Sequence, residues 1–275
     1  MSGKKKSINA DRGYALVSGS SGGLGLELAR QLAAKGYGII FNGRNIDKLK
    51  AEADKAAEDF GVKTFVVQSD LSKPGGPEKL FKEATAQAAI DVFVANAGIG
   101  VFGLSANLNP EAVERMLYLN MLSLTSLNNA FARYFQKKGG GYILNVGSLA
   151  AEIPEPYLAS YAASKSYVLN FSVALNGELK GSGVSVTCIQ PGFIRTGFDE
   201  NAGIKSRKYK EYSAKNGLSA AKAARIGLKM MFRRKAAGAI GLGNKLSKFF
   251  VSILPRTVRA AFIKKGISGL ISDHK

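Results

Sequence analysis

Tyr161-Ala-Ala-Ser-Lys165 sets a phenol and an ammonium four residues apart, and a hydroxyl, Ser148, lies thirteen residues upstream. On a helix, residues i and i+4 share a face, so Lys165 can stand beside the Tyr161 hydroxyl. A positive charge there favours phenolate and is expected to lower the tyrosine pKa from about 10. A tyrosine tuned towards neutral pH can give a proton to, or take one from, a carbonyl or alcohol oxygen. Ser148 would hold that oxygen by a hydrogen bond.

The chain contains a second pair of the same kind, Tyr134-Phe-Gln-Lys-Lys138. It ends a helical pattern that runs into Gly139-Gly140-Gly141, just ahead of a strand expected over residues 142–146. In open α/β sheets, ligands bind outside the carboxyl ends of the strands. Tyr134 and Lys138 sit at the opposite rim and are read as a surface pair, whereas Tyr161 follows the end where Gly147-Ser148 emerges.

Near the N-terminus, an apolar strand over residues 14–18 runs into Gly19-Ser20-Ser21-Gly22-Gly23-Leu24-Gly25 and then into a helical pattern over residues 26–35. A glycine turn between strand and helix lets backbone N–H groups and the helix N-terminus face a pyrophosphate. Glycines at 19, 23 and 25 depart from G-x-G-x-x-G. The wider loop resembles that of the short-chain dehydrogenase/reductase family, T-G-x-x-x-G-x-G, with Ser18 in place of the usual Thr and the hydroxyl kept.

Further marks of that family follow in order over about residues 13–200. Asp70-Leu71 follows the third strand, where the family contacts the adenine ring. Ala95-Asn96-Ala97-Gly98 resembles N-N-A-G, with Ala95 replacing the first Asn. Asn120 falls at the family's active-site Asn, Ser148, Tyr161 and Lys165 match its catalytic residues, and Pro191-Gly192-Phe193-Ile194-Arg195-Thr196 matches P-G-x-x-x-T, which lies against the nicotinamide. The resemblance implies hydride transfer between a nicotinamide and a substrate carbonyl, with Tyr161 as acid or base. It also implies that Lys165 bonds the nicotinamide ribose, that Asn120 holds a water linking Lys165 to solvent, and that the protein is a homo-oligomer.

Cofactor choice rests on the end of the second strand, Phe41-Asn42-Gly43-Arg44-Asn45, which offers no acid before Asp47. An acid near this point suits a ribose 2′-hydroxyl and an Arg suits a 2′-phosphate, which a guanidinium bonds with two donors at once. NADP(H) is therefore expected over NAD(H). Gly22 argues the other way, because many NADP-preferring relatives carry Lys or Arg there.

A chain of 275 residues suffices for one large α/β domain. Strand signals near residues 14–18, 38–42, 63–68, 91–96, 142–146, 184–190 and 238–242 alternate with helical patterns. That alternation predicts a doubly wound, mainly parallel seven-stranded Rossmann-type sheet. The expected division is an N-terminal tail over 1–12, a catalytic domain over 13–243 and a basic extension over 244–275. Cys188 is alone, so no intrachain disulfide can form. No metal site is expected, and His274 is assigned no role. Basic residues at 4–6 without a following apolar run argue against a secretory signal, and no stretch reaches 18 consecutive apolar residues. A cytoplasmic location is expected, with peripheral membrane contact as an addition.

The charge is uneven. Residues 1–204 carry 21 Lys/Arg against 18 Asp/Glu, whereas residues 205–275 carry 18 against 2. Within the second region Leu246, Phe249, Phe250, Ile253 and Leu254 recur at helical spacing beside Lys245 and Lys248. Pro255-Arg256 should interrupt that helix, and Val258, Ala261 and Phe262 start another apolar face near Arg259, Lys264 and Lys265. This stretch reads either as an element for an anionic membrane surface or partner, or as a helix packed on its own domain. Nucleic acid is disfavoured because aromatics are not interleaved for base stacking.

The substrate segment, residues 198–219, carries Lys205, Arg207, Lys208 and Lys210, which either attract an acidic head group or are merely solvated. The C-terminal extension resembles a subgroup of mostly undefined specificity with lipid-handling relatives. A hydrophobic or acyl ketone is the expected substrate. The alternative reading is a cofactor-binding interaction or membrane-surface protein that uses its basic tail.

Overall fold

The computed structural model describes residues 12–241 and 255–271. Seven strands form one sheet in the order β3-β2-β1-β4-β5-β6-β9, and every neighbouring pair is parallel. They are β1 (Tyr14–Ser18), β2 (Gly38–Gly43), β3 (Thr64–Gln68), β4 (Ile90–Ala95), β5 (Gly141–Val146), β6 (Val184–Gln190) and β9 (Ala237–Ala239). The expected doubly wound sheet is therefore present. Its last strand is shorter than the expected 238–242, pairing only with Cys188–Gln190.

Residue alternation along each strand builds two cores. Ala15, Val17, Ile39, Phe41, Val92 and Val94 pack with α1 (Gly23–Ala33), α2 (Ile46–Phe60) and α9 (Ala220–Phe232). On the other face, Leu16, Ile40, Phe93 and Ile143 pack with α3 (Gly76–Gln87), α5 (Leu124–Lys138) and α6 (Ala159–Glu178). Phe93 stacks on Phe131 with ring centroids 4.3 Å apart, and both are fully buried. Each such ring contributes roughly 1.5–3 kcal/mol by leaving water. Cys188 lies in this second core as a free thiol.

The strand order reverses between β1 and β4, which opens a crevice at their carboxyl ends. The segment over this rim is built from β7 (Ile194–Arg195), α7 (Phe198–Asn201), α8 (Arg207–Asn216) and β8 (Leu218–Ser219), with β7 and β8 paired in parallel. That small ribbon was not foreseen from the sequence, because two-residue strands leave no periodicity to read. Of the four cations expected to attract or be solvated, Arg207 pairs with Glu211 at 3.5 Å and Lys210 with Glu200 at 3.3 Å.

The final described helix, α10 (Arg256–Leu270), starts at Pro255, where the sequence predicts a break. Its packing face differs from the expected one. Ile267 is buried, and Leu270 and Ile271 pack against Ala202, Ile204 and Tyr209, while Val258 and Phe262 face solvent. Hydrogen bonds from Ser206 Oγ to the Leu270 carbonyl (2.6 Å) and between Tyr157 Oη and Ser268 Oγ (3.1 Å) fix that orientation. Leu246, Phe249, Phe250, Ile253 and Leu254 lie outside the described residues, as does the tail before Arg12. Among the described residues no helix is long and apolar enough to cross a membrane.

Candidate active site

The glycine loop joins β1 to α1 at the switch point. Gly19 (φ 63°) and Gly23 (φ 57°) occupy the left-handed region that disfavours a Cβ. Gly25 has a different reason to be glycine. A methyl there would overlap the Gly19 carbonyl oxygen and the Asn96 side-chain amide. α1 begins after Gly22 with no side-chain cap and no acid in its first turn, so its N-terminal N–H groups and positive dipole end face outward uncompensated. Bare backbone, unspent N–H groups and absent side chains fit the pyrophosphate of a dinucleotide.

Several residues expected to touch the cofactor also brace this loop. Asn96 Nδ2 donates to the Ser18 and Gly19 carbonyls at 3.0 and 3.1 Å. Ser18 Oγ donates to the Val94 carbonyl and accepts from the amides of Asn96 and Ala97, tying the end of β1 to the end of β4. The Ser20 hydroxyl is engaged by the Asn42 backbone at 3.0 Å, and the Leu24 side chain is buried in the first core. Only the backbones of Ser20 and Leu24 are left to face a ligand. Ser21 is half-exposed.

Thr196 reaches the loop from the Pro191-Gly192 segment, with its Cβ and Cγ2 3.4 Å from the place a Gly23 side chain would fill. Pro191 is held to the Ser148 turn, its carbonyl accepting from Leu149 N at 2.8 Å, and Ile194 sits in β7 against the first core. Asp70 and Leu71 follow β3. Against a burial that favours its neutral form, Ser72 hydrogen bonds and the Arg44 charge hold the Asp70 carboxyl below its ordinary value. Leu71 is buried, its carbonyl taking the Ser123 hydroxyl. Arg44 is exposed at the end of β2.

A cation that sequence reasoning missed lies opposite. Lys48 Nζ stands 3.9 Å from the position of a Gly22 Cβ. Asn45 caps α2, its side chain accepting from Lys48 N at 2.9 Å, and this places Lys48 one turn beyond Arg44 on the side of the glycine loop. The spacing of four from Arg44 was the available signal.

The proton-transfer groups meet at the carboxyl end of β5. Ser148 lies just beyond Val146 and opens a short 3₁₀ turn, Leu149–Glu152, its Oγ accepting from Ala150 N at 3.1 Å. Tyr161 enters from the first turn of α6, buried among Met116, Ala150, Leu158 and Ala162, with the Ser148 hydroxyl close enough to act on its phenol. Lys165 is buried one turn later. Its Nζ donates to the Val146 carbonyl at 2.9 Å and lies 5.8 Å from the centre of the Tyr161 ring.

Asn120 sits in a π-helical turn, Tyr118–Ser123, inserted between α4 (Pro110–Leu117) and α5. Such an insertion rotates a side chain out of the regular helical array and recurs at functional sites. Here it lets the Asn120 amide embrace Ile99, accepting from its N–H (3.1 Å) and donating to its carbonyl (3.0 Å). The same amide also donates to Ser164 Oγ on the catalytic helix (3.1 Å). A side chain at Gly98 would lie 3.3 Å from both Asn120 Oδ1 and Lys165 Nζ, so the three residues border one space.

One expectation is reversed. Lys165 does not pull the Tyr161 pKa down; burial of the phenol, reinforced by the charges of Glu155 and Asp199, raises it well above its ordinary value despite the nearby Ser148 hydroxyl. Lys165 is itself pushed down to about 8 by burial. The reason is desolvation, which penalises phenolate and ammonium alike.

The rival pair also has a defined place. Tyr134 Oη accepts from Ile90 N at 3.2 Å, and Lys138 donates to the Ile90 carbonyl at 2.9 Å and pairs with Asp91. Both clamp the start of β4, the rim away from the crevice. They form a structural tie at that rim, part-buried at the surface where the sequence placed them.

With this geometry stand the relationships of the chain. Residues 13–207 match the short chain dehydrogenase family. The chain belongs to the short-chain dehydrogenase family. It is 33% identical over 183 residues to an uncharacterized oxidoreductase of Myxococcus xanthus, covering 66% of this chain and 72% of the relative. A 3beta-hydroxysteroid dehydrogenase 1 of Eggerthella lenta is likewise 33% identical over 183 residues, covering 66% and 70%. Among solved structures, a short-chain dehydrogenase from Sphingobium yanoikuyae in complex with NADPH superimposes with a TM-score of 0.79 at 27% identity, covering 95% of this chain and 96% of that one. This member is therefore an oxidoreductase of that family, whose members act on small molecules.

Proposed function

We propose that this short-chain dehydrogenase is an NADP(H)-dependent reductase of a bulky hydrophobic ketone. The observation that carries the reading is the meeting of Ser148 and the buried Tyr161 at the carboxyl end of β5, with Lys165 buried one helical turn behind. The reduced nicotinamide would supply the hydride. Ser148 would hold the substrate oxygen. The Tyr161 phenol, protonated at neutral pH, would deliver the proton to that oxygen.

The glycine loop and the first turn of α1 would hold the pyrophosphate, Asp70 would border the adenine, and Lys165 would bond the nicotinamide ribose. Arg44 and Lys48 support the choice of NADP(H). Both are exposed, and Lys48 supplies, from α2, a cation beside the position that Gly22 leaves bare. The relative in complex with NADPH agrees with this choice. A second copy of the chain is the proposed partner. An apolar groove lined by Leu117, Tyr118, Met121 and Leu122 and by Ala163 on the catalytic helix gives it a surface.

NADPH absorbance, followed across short ketones, steroid ketones, 3-oxoacyl thioesters and long-chain lipid ketones, tests the reaction. Oxidation of NADPH with at least one of them is expected, and no turnover across the panel refutes the reading. Isothermal titration tests the cofactor: NADPH should bind more tightly than NADH, and Lys48→Ala and Arg44→Asp should each narrow the gap. Tighter binding of NADH by the unmodified protein overturns the assignment.

A further inference from the structure

The loop between Ser148 and Tyr161 carries Ile-Pro-Glu-Pro-Tyr-Leu at residues 153–158. Tyr157 within it holds φ at 69°, a backbone conformation costly for a bulky residue and typical of functional sites. Its carbonyl accepts from Gly103 N at 2.8 Å, its ring stacks on Phe102 at 6.0 Å, and its hydroxyl meets Ser268 of α10. The strained residue is thus held on three sides, and the turn closed by Leu158 N on the Glu155 carbonyl (3.1 Å) fixes the residue two positions earlier.

Around this loop stands an aromatic wall. Phe102 meets Tyr209 at 5.9 Å, Tyr209 meets Phe193 at 5.9 Å, and Phe198 lies against Tyr161 at 5.5 Å. Glu155 is half-buried here, and its charge reaches the phenols of both Tyr161 and Tyr209. Its carboxyl makes neither a hydrogen bond nor an ion pair among the described residues. The other acid of this wall, Asp199, lies near the Ser213 hydroxyl and within reach of the Lys210 charge. A chain with 39 Lys/Arg against 20 Asp/Glu has no shortage of cations to pair an acid. The Glu155 carboxyl keeps some access to solvent, and partial desolvation pushes it up to about 7.

We propose that Glu155 is the specificity-determining anchor of the substrate pocket, receiving a hydrogen bond from a hydroxyl that the substrate carries at a distance from its reacting carbonyl. The inference rests on the ketone-reductase reading and names its substrate class: a hydrophobic hydroxyketone, flat enough to lie along aromatic rings. A carboxylate at the same place on the substrate is rejected, because it would meet two acids, Glu155 and Asp199. A site built to bond a hydroxyl discriminates against the analogue lacking one, since that analogue would cover the carboxyl and displace its water without replacing the hydrogen bond.

Two matched pairs of ketones test this: 4-(4-hydroxyphenyl)-2-butanone against 4-phenyl-2-butanone, and 3β-hydroxyandrostan-17-one against androstan-17-one. Dissociation constants are measured on NADPH-loaded Tyr161→Phe protein, so that binding is read without turnover, and kcat and KM on the unmodified enzyme. In at least one pair the hydroxylated member should bind roughly 10-fold more tightly, an effect of the size that a hydrogen bond to a carboxyl supplies, and the preference should appear in KM. Glu155→Leu should reduce it to within about twofold, while Glu155→Gln, which keeps a carbonyl acceptor, should retain most of it. Equal affinity within both pairs, no binding of any of the four ketones, or a preference that survives Glu155→Leu overturns the inference. Preferential binding without NADPH oxidation would instead uphold the anchor and sink the reductase reading.

Discussion

Replacing Lys165 by Met should stabilise this protein while disabling it. The ammonium is buried, and burial lowers its pKa from 10.5 to about 8. At 1.36 kcal/mol per pKa unit, that fall means the folded state holds the charge at a cost of roughly 3 kcal/mol at pH 7. Part of this is offset, because Nζ donates to the Val146 carbonyl and a hydrogen bond from a charged group is worth roughly 1.5–3 kcal/mol. A methionine of similar length removes both, leaving a net gain of up to about 1.5 kcal/mol, or up to roughly 6 °C in Tm for a domain of this size. The sign with pH follows from a folded pKa below the unfolded one. Below pH 8 both states are protonated and wild type bears the full cost. Between pH 8 and 10.5 the folded state sheds its proton first and the cost fades; above 10.5 it is gone. Thermal melts of both proteins without cofactor, from pH 6.5 to 10.5, should therefore show a gap favouring Lys165→Met that closes as pH rises. A variant less stable than wild type at pH 7, or a gap that does not narrow towards pH 10.5, refutes the account of a desolvated ammonium.

Tyr161→Phe should lower turnover by about 10²–10⁴-fold with little change in NADPH affinity. Tyr134→Phe should leave turnover intact and cost about 1 kcal/mol of stability, since it removes the acceptor for Ile90 N; steady-state kinetics and melts on both separate the two pairs. Gly25→Ala should destabilise the protein by roughly 1–3 kcal/mol and weaken NADPH binding in titration, because the methyl must displace the Gly19 carbonyl and the Asn96 amide. In α10, Ile267→Ser should lower Tm by an amount corresponding to about 2 kcal/mol or more. Phe262→Ser, on the exposed side, should change stability by no more than about 0.5 kcal/mol. Equal effects would mean that the helix packs by its other face.

The alternation of strand and helix was legible in the chain because it is written locally. Apolar runs such as Val184–Gln190 must be covered on both faces, and glycine turns such as residues 19–25 mark where strand gives way to helix. The same local record placed Ser148, Tyr161 and Lys165 at the carboxyl end of one strand and Tyr134 and Lys138 at the start of another, and the sheet order keeps the two sets apart. What spacing cannot carry is the environment that a side chain meets on folding. Tyr161 and Lys165 are neighbours in any helix, but only packing against Met116, Leu158 and Ala162 decides that desolvation governs their pKa values. Asn96 matches the family's motif and Ser20 lies within its glycine loop, and contacts with Gly19 and Asn42 make their side chains braces. The tail was legible as basic and amphipathic, while which face it buries depended on the shape that Ile204 and Tyr209 offer. Lys48 beside Gly22, and Glu155 beside Tyr161 and Tyr209, come from segments with no shared pattern. Sequence fixes which groups are available within a turn or two of each other; desolvation, through-space charge and the competition for hydrogen-bond partners exist only once the chain has closed around them.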